Sequence, residues 1–78
     1  MSGYRPIKVS CWQKFLAAQG CIFKSIEASH HKWICPNCNR SIIFQGAEKE
    51  IPVFHIRTSL KTMNLSMEHA YSWFKDNC

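Results

Sequence analysis

Seventy-eight residues are enough for one small domain, near the lower limit at which a core holds without staples. A hydrophobic content of 46% with 13% aromatics argues against a disordered chain, and no apolar run is long enough to cross a bilayer. The formal net charge of +5 favours a polyanionic partner over an acidic-surface function.

That charge is unevenly placed. Through Gly46 the chain carries six Lys and Arg against the single acid Glu27, whereas from Ala47 onward four bases meet four acids. The excess therefore belongs to the first half, where RNA or DNA would be attracted through counterion release. The start of the chain, Met1 to Ile7, has no secretion-type apolar stretch, and the five cysteines are an odd number. Together these predict a cytoplasmic protein with reduced thiols, Cys11, Cys21 and Cys78 being inert.

In chain order, Met1 to Lys8 reads as a loose arm kept extended by Pro6. Ser10 is a candidate N-cap, and Trp12, Phe15, Leu16 and Gln19 recur at helical spacing before Gly20, so a helix is expected over about residues 10–19. Cys21 to Glu27 is β-rich, and strict alternation puts Ile22 and Ile26 on one face with Phe23 on the other. After a break at Ala28-Ser29 a second strand is predicted over about 31–35. The turn Pro36-Asn37-Cys38-Asn39 then leads into a third strand over 40–45.

Gly46 to Glu50 is a polar loop, and Pro52 suits the start of a second helix. Val53, Ile56, Leu60 and Met63 make its apolar stripe, with Asn64 as a left-handed C-terminal cap. Ser66 caps a third helix, whose buried stripe is Met67, Ala70, Tyr71 and Phe74. The expected order is α-β-β-β-α-α in one α+β domain spanning 1–78, with 65–77 an additional C-terminal helix. Trp12, Trp73 and Phe74 are assigned to the core.

The chemistry concentrates at Ser29-His30-His31-Lys32-Trp33. Imidazole titrates near neutrality and can take or give a proton there. Within a strand, His31 shares a face with Trp33 and Cys35, and His30 shares the other with Lys32 and Ile34. The chain has no phosphate-cradling glycine loop, and Asp76 is its only aspartate, so a two-metal nuclease or two-carboxylate glycosidase is hard to build. RNA, however, carries its own nucleophile in the 2′-hydroxyl. An imidazole base with a nearby Lys or Arg could cut it without metal while sparing DNA. A lysine or His55 would then supply the second proton-transfer role.

Three segments resemble the HicA-type mRNA interferase toxins of type II toxin–antitoxin pairs: Phe15-Leu16-Ala17-Ala18-Gln19-Gly20, Ala28-Ser29-His30-His31 and Leu60-Lys61-Thr62-Met63-Asn64-Leu65-Ser66. They stand in the family's order across roughly Val9 to Ser66. The resemblance implies a double-stranded-RNA-binding-domain-like α-β-β-β-α fold, its three-stranded antiparallel sheet packed on helices. It also implies ribosome-independent, metal-independent endoribonuclease activity without a cofactor, and a HicB-type antitoxin, as a homodimer or a toxin–antitoxin hetero-oligomer. The family's catalytic histidine falls on His31, or on His30 if the register slips by one. Ser29, Lys32, Trp33, Lys24, Arg57 and Lys61 are the expected RNA-binding residues, with Trp33 placed to stack an unpaired base.

Three positions depart from the pattern. Ala28 and Asn64 stand where the family has glycine, and Phe44-Gln45-Gly46 replaces its Pro/His-containing segment. They keep open a non-catalytic RNA-binding or regulatory module of the same fold. Cys35 and Cys38 have the spacing of a zinc knuckle, with His31 plus His30 or Cys21 as further ligands. This leaves a zinc-stabilised adaptor as a third reading.

Overall fold

The computed structural model describes residues 3–78; Met1 and Ser2, the first two residues of the expected arm, lie outside the described residues. The chain forms β1 (Ile7–Lys8), α1 (Val9–Ala18), β2 (Ile22–Glu27), β3 (His30–Ile34), β4 (Ile42–Gln45), β5 (Glu50–Ile51), α2 (Val53–Met63) and α3 (Met67–Asn77). It is a small α+β domain with a three-stranded antiparallel sheet, ordered β2-β3-β4, and three helices. A second, two-stranded ribbon pairs Ile7 with Ile51 and Lys8 with Glu50.

That ribbon corrects the reading of the described end of this arm, residues 5–8, as loose. Ile7 is buried, the Val9 amide donates to the Lys49 carbonyl, and the Tyr71 hydroxyl donates to the Arg5 carbonyl. Burial pushes the Tyr71 hydroxyl's pKa up, and the nearby Arg5 opposes it in part.

The helices start and stop where local chemistry dictates, with one shift. Helix α1 begins at Val9 from Lys8, which makes no side-chain cap, so Ser10 lies inside the first turn and not at the cap. It ends as expected at Gly20, at φ 86°, where the Gly20 and Cys21 amides donate to the Ala17 and Leu16 carbonyls. Asn64 at φ 60° closes α2 in the same way, its amide and that of Leu65 donating to Lys61 and Leu60. The Ser66 hydroxyl accepts the His69 amide at 3.0 Å to open α3.

The core sits among the helices and one sheet face. Trp12, Phe15 and Leu16 from α1 meet Ile56 and Leu60 from α2 and Ala70 and Phe74 from α3, with Ile42 and Phe44 supplied by β4. Phe15 and Phe74 pack edge to face at 5.2 Å between centroids, and Trp12 stacks on Phe15 at 5.5 Å. Trp73 joins from the partly buried rim.

Two disulfides overturn the expectation of reduced thiols. Cys11, in the first turn of α1, is bonded to Cys78 beyond α3, and Cys21 at the start of β2 is bonded to Cys35 at the end of β3. Cys38 keeps its thiol. The odd count misled because four of the five cysteines pair, and connectivity is set by the fold and not by spacing.

The sheet also departs from strict alternation. Ile22 pairs with Ile34 and Phe23 with Trp33, but Ser25 pairs with Lys32, so Lys24 is an extra residue in a β-bulge. The bulge resets the period. Phe23 and Ile26 therefore share the side of Trp33 and His31, and Ile22 takes the opposite side, which corrects the expected grouping of Ile22 with Ile26.

Candidate functional site

The register of β3 is the one expected, with His31 on the side of Trp33 and Cys35. The helices cover that side at β4, while at the β2 edge it stays open, with Phe23 and Ile26 both exposed. Phe44, opposite His31 on β4, is buried, and so is Ile42 opposite Trp33. The His31 ring is half-buried, with its centroid 5.3 Å from that of Phe44 and 6.1 Å from that of Phe23. Its Nδ1 lies 3.3 Å from Nε2 of Gln13 on α1. Its other edge lies against Gly46, where any Cβ would overlap the imidazole.

His30 is placed quite differently. It is exposed, opposite Glu27 on β2 and Gln45 on β4, on the sheet side that no helix covers. Lys32 lies two residues along on the same side, and Ile22, Ile34 and Ile43 are all exposed there. The β2–β3 turn that delivers both histidines is held at β4. The Ser29 hydroxyl donates to Oε1 of Gln45 at 2.7 Å, and the Gly46 amide donates to the Ser29 carbonyl at 2.8 Å. Ala28 in that turn adopts φ 57°, the left-handed conformation that glycine takes without strain.

The other expected contacts divide between the two ends of the sheet. Lys24 is exposed in the β2 bulge. Trp33 is half-buried with its ring edge to face with Phe23 at 5.9 Å, and its buried Nε1 has no partner. It is thus wall for the covered side and not a stacking platform on the open one. Arg57 and Lys61 are exposed on α2, and Lys61 lies beside Arg40 from the β3–β4 turn, at the end of β3 remote from the histidines. His55, also on α2, is exposed with its ring 4.2 Å from that of Phe54.

The zinc alternative needs thiolates on both Cys35 and Cys38, and here the Cys35 sulfur is bonded to Cys21. Among the described residues no group of three or more His, Cys, Asp or Glu is gathered as a metal site. None of the described helices is long and apolar enough to cross a membrane.

Sequence reasoning found the histidines and their opposite faces. It missed Gln13 and Gly46, which hold His31, and Arg40, which joins Lys61. Arg40 was visible as a base in a turn, but its partner on α2 is set only by the fold. No family model, curated protein or solved structure matches this chain.

Proposed function

We propose that the chain is a metal-independent endoribonuclease of the HicA mRNA-interferase kind, on a double-stranded-RNA-binding-domain-like fold, with His30 as general base. The observation that carries this reading is an exposed imidazole on an uncovered sheet face with a lysine beside it. His30 takes the proton of a ribose 2′-hydroxyl. The freed oxygen attacks the adjacent phosphorus, and the 5′-oxygen leaves with a proton from solvent, giving a cyclic phosphate end. Lys32 stabilises the negative charge that gathers on phosphorus in between. DNA lacks the nucleophile and is not a substrate.

In this reading His31 positions the strand. Its ring seats β3 against Gln13 and Gly46, next to the backbone of His30. A HicB-type antitoxin and a cytoplasmic setting belong to the same reading. Two disulfides are unusual in a cytoplasmic chain, so on this reading activity must not depend on them.

One observation favours a second reading. The residue on which the resemblance places catalysis, His31, is engaged in packing, as in a module that binds RNA without cutting it.

The test is cleavage of end-labelled RNA by purified protein, with and without dithiothreitol, beside DNA of the same sequence. The expected result is cut RNA and intact DNA, with His30→Ala slower by about 10²-fold or more. His31→Ala should retain measurable cleavage. If folded His31→Ala is dead and His30→Ala is active, the base is His31. Binding without cleavage by the wild type would establish the second reading.

A further inference from the structure

We infer that the shallow cleft between the β3–β4 turn and the C-terminal half of α2 is a phosphate-backbone site for single-stranded RNA. This inference rests on the RNA-directed reading above and adds a second contact region to it. The cleft has a volume of about 580 Å³, and its cations are Arg40 from the turn and Lys61 from α2, with Asn37, Asn39 and Asn64 around them. It adjoins a second hollow of about 470 Å³ that Lys61 and Asn64 also line, where Arg57 and Ser66 share the wall with the apolar Leu60, Leu65 and Met67. No acidic side chain lines either hollow.

The chemistry of the lining suits phosphodiesters. Arg40, Arg57 and Lys61 are exposed cations drawn from two separate elements. Arg57 and Lys61 stand four residues apart on the helix, about 6 Å along the axis, which suits successive phosphates of a strand. The asparagine amides can donate to phosphate oxygens. Two of these asparagines, Asn37 and Asn64, hold left-handed backbone at φ 61° and 60°, which fixes the rim of the cleft.

The C-terminus of α2 alone would repel an anion, since its last carbonyls carry partial negative charge. Here the Leu60 and Lys61 carbonyls already accept the Leu65 and Asn64 amides. The start of α3, at Ser66 and Met67, faces the same hollow with the opposite dipole sign.

The cleft lies beyond the far end of β3 from His30. From His30 to Ile34 the strand alone spans about 13 Å, and α2 lies on the other side of the sheet, so one strand of RNA would have to pass around the sheet's edge to reach both places. That geometry makes the cleft an anchor for the backbone a few nucleotides away from the bond to be cut. It reads no base sequence.

The experiment measures binding of a fluorescent oligouridylate to the full chain across a salt series, with melting to confirm the fold. In Arg40→Gln/Lys61→Gln, affinity at 0.1 M salt should fall about 25-fold. The slope of log affinity against log salt should lessen by about 1.4, the effect of two lost single-strand phosphate contacts. The control Lys14→Gln/Lys75→Gln removes the same charge elsewhere and should leave affinity within about twofold. Equal loss in both variants would mean diffuse attraction and overturn the cleft, as would displacement of the RNA by polyglutamate at matched charge. A wild type that binds and cleaves RNA with an unaffected cleft variant sinks the cleft alone. A wild type that neither binds nor cleaves sinks the RNA reading with it.

Discussion

The two faces of the three-stranded sheet carry similar residues and live in different surroundings. On the covered face, Phe44 and Ile42 are buried, and His31 is wedged between Gln13 and Gly46. On the open face, Ile22 is 69% exposed and Ile43 52%, and His30 stands exposed on the same face, opposite Glu27 and Gln45. Neighbouring residues of one type thus acquire different work because a strand turns every second side chain over. A histidine's neighbours across the sheet, and not its place in a motif, decide whether it can meet a substrate.

The sharpest way to break this contrast is to truncate one residue on each face of β4. Phe44→Ala should cost about 3–5 kcal/mol, because a ring 3% exposed leaves a cavity under His31 that the helices cannot fill. Ile43→Ser, one residue away, should stay within about 0.5 kcal/mol. Chemical denaturation of both variants measures the difference. Equal losses would mean that a second layer covers the open face in solution.

A smaller effect tests how tightly His31 is held. Gly46→Ala puts a methyl group where the imidazole now lies, so the ring must rotate away from Gln13 or the loop must shift. Such overpacking costs about 1–3 kcal/mol. It should also move the His31 ring signals in a proton–nitrogen correlation spectrum while leaving those of His30 in place. Stability and spectra indistinguishable from the wild type would show that the ring is not confined at all.

Why the covered face could not be picked out beforehand is visible in β4 itself. Its run Ile42-Ile43-Phe44 is apolar on both sides, so alternation alone does not say which side meets the helices. The bulge at Lys24 gave no warning, having neither the glycine nor the proline that marks many such irregularities. The β1–β5 ribbon is two residues per strand, too short for any period to show. The cystines were hidden for another reason: their pairing depends on which chain ends meet, as α1 and α3 do at Cys11 and Cys78. Helices, by contrast, were legible nearly to the residue, because Gly20, Asn64 and Ser66 act through bonds to their own neighbours.

The smallest effect concerns the turn that feeds both faces. Ala28 sits at φ 57°, where an L side chain crowds its own carbonyl, so the hairpin stores about 1 kcal/mol that glycine would release. Glycine also frees the unfolded chain by about 0.5–1 kcal/mol, which offsets part of the gain. Ala28→Gly should therefore raise stability by no more than about 1 kcal/mol, read as a shift of a few degrees in melting temperature. A clear loss of stability would mean that the alanine methyl makes a contact worth more than the strain. The histidines supply the more informative half of this test. Ser29 is tied to Gln45, and its carbonyl to the Gly46 amide, so relaxing Ala28 should leave His30 where it is. If RNA cleavage by Ala28→Gly changes more than its stability does, the strained turn itself aims the open-face imidazole. The contrast between the two faces would then begin two residues before the strand.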